Sequence, residues 1–262
     1  MTLQIIVFRI IRYIRYWLLC MDEHGLQSPF VFQVYKEVLN PSKRKKCKDT
    51  AIESLRSQLS KDDTVIMSSD FGSGSSMAVA KSKQVKTIAQ SGISELKQSE
   101  VITNLIAFVN ASHVLELGAS LGINTLYMSK VSVVEQVISI EANPELAALA
   151  SDHLKILASS NAEIKVVDVD DFFEANSQTF NLIYIDANHT YEATIRYFNQ
   201  AVKVLSTHGA LVIDDINWSP GMSKAWTQII AQHPAHLYLE NHKFGIVFAN
   251  RALERNHYIL RF

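Results

Sequence analysis

Cysteine is scarce in this chain: Cys20 and Cys47 are the only two among 262 residues. They form neither a metal-binding spacing nor a disulfide framework, which fits a reducing, cytoplasmic setting. An excess of either charge is also missing, because 25 Lys and Arg stand against 26 Asp and Glu, for a net charge of −1. That balance argues against bulk nucleic-acid binding, and no nucleic-acid partner is expected. No apolar run is long enough to span a bilayer. Residues 1–20 are interrupted by Arg9, Arg12 and Arg15, and no small-residue cleavage site follows, so neither a transmembrane helix nor a signal peptide fits. No internal repeat is apparent. The loop from Asp70 to Ser76, rich in Gly and Ser, lacks the Gly-Lys-Ser/Thr close of a phosphate-binding P-loop and reads as a mobile loop near an active site.

What is present is one organising stretch, Val114-Leu115-Glu116-Leu117-Gly118-Ala119-Ser120-Leu121-Gly122-Ile123-Asn124. It reads as a buried strand, a glycine turn and a helix over 121–130. Glycine is needed where the backbone turns sharply and a ligand comes close, and the following helix start offers unpaired N–H groups. Two other readings use the same letters. Gly118-x-Ser120-x-Gly122 fits the nucleophile elbow of an α/β-hydrolase with Ser120 attacking an acyl group, although that elbow normally follows several strands and only one weak candidate, 64–68, precedes it. The other is a βα turn with no ligand. The spacing is not the dinucleotide fingerprint G-x-G-x-x-G.

The next strand, 135–140, ends in Glu141, nineteen residues past Gly122. An acid there is placed to accept both hydroxyl protons of a ribose diol. From Ser112 onward strand and helix alternate, which calls for a mainly parallel sheet covered on both faces. Strands are expected near 113–117, 136–140, 163–167, 181–185 and 208–213, with helices near 121–130, 144–158, 190–205 and 220–232. Residues 236–240 and 244–248 form a hairpin. Ligands in such sheets bind beyond the carboxyl ends of the strands. Those ends carry Asp168-Val169-Asp170-Asp171, Asp186-Ala187-Asn188-His189-Thr190-Tyr191 and Asp214-Asp215-Ile216-Asn217-Trp218. Asp170 and Asp171 also suit the cap of a short helix at Phe172, and His189 with Tyr191 suits the packing of a helix start.

Strand, glycine turn, helix, strand and acid together resemble motif I and its acidic partner in class I S-adenosylmethionine-dependent methyltransferases, over residues 95–250. The resemblance implies an α/β fold: a doubly wound, mainly parallel, seven-stranded Rossmann-like sheet with an antiparallel C-terminal hairpin strand and a helical N-terminal extension. It implies an S-adenosyl-L-methionine site in which Glu116, Gly118, Ala119, Ser120 and Gly122 cradle the methionine part. Glu141 and Ala142 then hold the ribose, Asp168 and Val169 frame the adenine, and Asp186 closes the site.

The strand-end motifs are similar to those of the cation-dependent O-methyltransferases of the catechol and caffeoyl-CoA type. That likeness implies Asp186, Asp214 and Asp215 as metal ligands, Mg²⁺ as the ion suited to oxygen-only donors, and His189 as the base working beside Asp186. Two residues depart from that pattern, because Asp215 replaces a neutral amide and His189 a lysine. The implied activity is O-methylation of a small-molecule acceptor. Besides the hydrolase, the alternative from another class is a non-catalytic protein docked on a membrane or partner through residues 1–20.

The lead-in, 1–95, reads as a helical cap on a methyltransferase domain spanning 96–262. Residues 1–20 form a cationic amphipathic helix, read as packing on its own domain or a twin subunit, or else lying on a membrane surface. An exposed apolar side there would favour a homodimer. Ser28 caps a helix that starts at Pro29 and runs to about Leu39. Lys43 to Lys48 reads as a solvated basic loop. Short helices are expected over 51–59, 77–89 and 94–110. For the tail, 251–262, packing on the sheet edge is expected.

Overall fold

The structure, a computed structural model, describes residues 3–68, 81–92, 95–233, 236–250 and 252–262. The Gly72 loop and residues 77–80 of the expected helix lie outside them.

Three of the sheet's strands, β3 (His113–Leu117), β4 (Gln136–Glu141) and β6 (Phe180–Ile185), are apolar runs buried almost throughout. Continuous apolar runs of this kind suit a parallel sheet with helices on both faces. With β5 (Ala162–Val166), β7 (Leu205–Ile213), β8 (Leu237–Glu240), β9 (Gly245–Phe248) and β10 (His257–Ile259) they build an eight-stranded sheet ordered β10-β8-β9-β7-β6-β3-β4-β5. Strands β3 to β7 are mutually parallel, and β9 runs antiparallel to both neighbours. The eighth strand comes from the tail. β10 adds parallel to β8, and Leu260 beyond it is fully buried.

One face of the sheet is covered by α2 (Pro29–Val34), its wider-wound continuation Tyr35–Leu39, and α5 (Leu96–Phe108), in one core with Val114, Tyr184, Val212 and Ile246. Ser28 accepts the Val31 N–H at the start of α2, the cap its sequence predicts. The other face carries α8 (Val169–Ala175), α9 (Tyr191–Val204) and α10 (Pro220–Gln232). A third cluster joins α3 (Thr50–Leu59), α6 (Ile123–Ser129) and α7 (Pro144–Ile156) around Ile52, Leu126 and Leu154.

The lead-in is less helical than its pattern predicts. Residues 81–84, expected in a helix, form β2 (Lys81–Gln84), which pairs antiparallel with β1 (Val65–Ser68), and α4 (Val85–Gly92) starts only afterwards. The pairing supplies backbone partners that the short polar segment 81–84 does not gain from its own helix. The basic loop is also not wholly solvated. Arg44 is 5% exposed and pairs with buried Glu100 of α5 at 3.0 Å.

Helix α1 (Leu3–Leu19) has no buried residue and touches the body through a polar stripe. Arg9 Nε donates to the Trp218 carbonyl at 2.9 Å, Arg12 Nε to Asn217 Oδ1 at 2.7 Å, and the Tyr16 hydroxyl to the Leu260 carbonyl at 3.1 Å.

Candidate active site

The strand order places β3 centrally: the chain proceeds outward through β4 and β5, then returns to put β6 on the other side of β3. A crevice opens at the carboxyl ends where the order reverses. Backbone bonds align the rims. The Asp186 N–H donates to the Leu117 carbonyl and the Asp214 N–H to the Ile185 carbonyl, both at 2.9 Å, so the ends of β3, β6 and β7 step side by side.

Between β3 and α6 the backbone takes positive φ at Gly118 (99°), Ser120 (50°) and Gly122 (77°). Only glycine adopts such angles without strain. A Cβ on Gly118 would overlap the Asp186 carbonyl, and one on Gly122 would stand 3.0 Å from the Ala150 Cβ on α7. The turn therefore needs its glycines for the close approach of its own chain, where the sequence pattern had pointed to the approach of a ligand. The helix after it is shorter than the expected 121–130, because Gly122 is its N-cap and Lys130 its C-cap.

Glu116 lies beneath the turn, fully enclosed, accepting Thr125 and Ser139 hydroxyls at 2.5 Å each. Burial pushes its carboxyl up from 4.5 to about 7. Glu141, at the tip of β4, accepts the Ser120 N–H on one oxygen and the Asn143 N–H on the other, both at 2.9 Å. Burial outweighs these bonds and holds its pKa above the ordinary carboxylate value. Ala142 follows it, and Ala119 is buried in the turn. At the tip of β5, Asp168 caps α8 by accepting the Asp170 N–H at 2.8 Å, and Val169 is buried behind it. The cap is thus Asp168, while Asp170 holds Arg196 at 2.8 Å.

The two carboxylates at adjoining strand tips each keep lone pairs beyond their backbone bonds. With the turn they form a set of acceptors that fits a ligand carrying a diol and a base.

A second group forms across β6 and β7. His189 Nε2 stands 3.5 Å from Asp186 Oδ1 and 3.9 Å from Asp215 Oδ2. Burial first, and then repulsion from Asp214 and Asp215, raises the Asp186 carboxyl well above its ordinary value; burial and Asp214 raise Asp215 likewise. Asn188 and Asp215 both take positive φ, and the Thr190 hydroxyl caps α9 through the Ala193 N–H.

Asp214 is buried beside this trio, and the Tyr184 hydroxyl lies within 3.3 Å of Asp186 Oδ2 as well as bonding Asp214. Asp214 Oδ1 accepts the Asp215 N–H at 2.8 Å, and its Oδ2 accepts the Tyr184 hydroxyl at 2.7 Å and the Gln98 amide. At 2% exposure and with three protein donors on its two oxygens, Asp214 does not join Asp186 and Asp215 in an open cage that fits a cation. Among the described residues no group of three or more His, Cys, Asp or Glu is placed to hold a metal ion.

Several residues of the site carry no signal in their own segments. Gln98 on α5 bridges Tyr184 and Asp214, and it accepts Lys243 Nζ at 2.7 Å. Arg9 stacks over the Trp218 ring, 3.7 Å from its centroid. Arg9, Asp215, Asn217, Trp218, His242 and Lys243 line a cavity of about 200 Å³. Tyr184 is not among the residues expected from the sequence, although its place two residues before Asp186 on a strand puts it on the same side. Ser120 has no histidine partner among the described hydrogen bonds, and its turn follows the first strand of the large sheet, unlike the hydrolase elbow.

Residues 115–216 match a family model described as a methyltransferase domain. No curated protein matches the chain in sequence. Among solved structures, the chain is similar to an O-methyltransferase from Bacillus cereus in complex with S-adenosylhomocysteine, with 16% identity, a TM-score of 0.55 and coverage of 84% of this chain and 97% of that one. It is similar also to the O-methyltransferase TomG from Streptomyces achromogenes, in complex with S-adenosylmethionine, at 13% identity and TM-score 0.57, covering 78% and 91%. A third is the S-adenosylhomocysteine-bound methyltransferase PaMTH1 from Podospora anserina, at 15% identity and TM-score 0.52, covering 60% and 79%. Residues 115–216 thus match the model of a methyltransferase domain, and the chain shares its fold with these solved methyltransferases.

Proposed function

We propose that this protein transfers a methyl group from S-adenosylmethionine to a hydroxyl oxygen of a small molecule, with His189 as the base. The observation that carries this reading is His189 Nε2 set between Asp186 and Asp215 at the carboxyl edge of the sheet, with Asp215 also lining a cavity of about 200 Å³. A cavity of that size takes a single ring.

S-adenosylmethionine supplies a sulfonium methyl that is already activated for attack. Glu141 would accept the ribose hydroxyls, and Asp168 with Val169 would frame the adenine. Gly118, Ala119, Ser120 and Gly122 form the turn that shapes the site, with Glu116 enclosed beneath it. The acceptor hydroxyl binds in the cavity beside Asp215. His189 Nε2 takes its proton as the oxygen–carbon bond forms and the sulfur–carbon bond breaks, leaving a thioether. The imidazolium so formed faces Asp186 and Asp215, whose mutual repulsion it relieves, so the positive charge is stabilised where it develops. Positioning and proton removal are the work of this chain. Asp214 is engaged internally, and no step here runs through a cation.

The test is steady-state methylation across a panel of catechols and simple phenols, wild type against His189→Ala. Turnover is expected to fall about 10²- to 10⁴-fold with S-adenosylhomocysteine affinity unchanged. Turnover within about twofold of wild type would remove His189 from the chemistry.

A further inference from the structure

A helix that packs only on its own domain turns its apolar stripe inward. α1 does the reverse. Its body-facing positions, spaced by three and four residues, are Ile5, Phe8, Arg9, Arg12 and Tyr16, and the bonds they make to the domain come from the two arginines and the tyrosine. Its outer arc carries Val7, Ile10, Ile11, Ile14, Trp17 and Leu18, each 46–67% exposed. At 100° per residue this apolar arc, with its flanks, spans about half the helix circumference.

Charge distinguishes the occupants of such a face. Residues 1–21 contain three arginines and no acid. In a pair of such helices from two copies, Arg15 at the edge of the arc would meet another cationic helix with no carboxylate on it, an arrangement that disfavours pairing. The arc is also wider than the seam that two paired helices bury. A bilayer surface bearing anionic lipid matches both features. Apolar side chains enter the headgroup–acyl boundary, Trp17 suits that depth, and Arg15 meets lipid phosphate. Among the described residues no helix is long and apolar enough to cross a membrane, so the contact is one of lying on the surface.

We propose that α1 docks this protein on a membrane surface containing anionic lipid, with Ile10, Ile14 and Trp17 inserted at the interface. Arg9 on the opposite side of the same helix lines the cavity beside Asp215, so docking brings that cavity within about a helix diameter of the lipid.

The experiment is flotation of the full chain with phosphatidylcholine vesicles, with and without phosphatidylserine, at low and high salt. Binding is expected on the anionic vesicles, weakening with salt. The double variant Ile10→Ser/Ile14→Ser should bind at least about tenfold less while keeping the wild-type melting temperature, because both residues are more than half exposed. Trp17 fluorescence should be quenched by brominated lipid, and Trp17→Phe should lose that quenching. Absence of binding to both vesicle types overturns the proposal. So does a solution dimer that the double variant dissolves while vesicles bind neither form.

Discussion

At the scale of single residues, the buried acid of the central strand makes the sharpest prediction. Glu116 holds its proton to about pH 7 in the folded chain, against an ordinary 4.5. The folded state therefore binds more protons than the unfolded state between those values, and stability contributed by the protonated form is lost as pH rises through about 7. Converted at 1.36 kcal/mol per unit, the loss is about 3 kcal/mol as an upper bound. Urea unfolding of wild type and Glu116→Gln from pH 4.5 to 8 checks this. The wild type should lose stability relative to the variant across that range, and parallel curves would contradict it. Glu116 was legible as a member of the glycine-turn stretch, but its enclosure by Thr125 and Ser139 was not, because those hydroxyls come from a helix and a neighbouring strand.

Among the elements, the β3–α6 turn shows both the reach and the limit of the sequence pattern. Two glycines and a serine correctly mark a tight turn, while the reason for the glycines lies elsewhere in the chain, at the Asp186 carbonyl and at Ala150. Gly118→Ala combines a positive φ with a backbone overlap and should destabilise by roughly 2–4 kcal/mol, lowering the melting temperature by roughly 5–10 °C. Differential scanning calorimetry decides it, and a shift under about 2 °C would mean that the turn relaxes freely. Apart from β10, the strands of the large sheet are legible as apolar runs, as members of the strand–helix alternation, or as a hairpin. β2 and β10 are not. β2 is the polar run Lys81–Gln84, stabilised by its pairing with β1, and β10 gains its place from the edge of β8. The basic loop was read as solvated because Glu100, the partner of Arg44, lies more than fifty residues further on.

Taken as a whole molecule, the chain brings chemistry to one edge of a sheet from segments that share no local pattern. Asp186, His189 and Asp215 stand at strand ends, where the alternation of strands and helices placed them. Gln98, Lys243 and Arg9 arrive from a covering helix, a hairpin turn and the first helix, by contacts spanning more than a hundred residues. Asp214 had been grouped with the metal ligands on its position. Its burial against Tyr184 and Gln98 depends on packing that no strand-end motif encodes. First-helix polarity was similarly visible in the spacing of its arginines, while the choice to face them toward the domain depends on Trp218 and Asn217.

The central claim is that the crevice at the carboxyl ends of β3, β4 and β5 holds S-adenosylmethionine. Calorimetric titration of S-adenosylhomocysteine into wild type and Glu141→Ala, each with Mg²⁺ and with EDTA, tests it most directly. Micromolar binding is predicted, equal in the two buffers and at least ~1.4 kcal/mol, or tenfold, weaker in the variant. Absence of binding in both buffers, or full affinity in Glu141→Ala, would contradict the account.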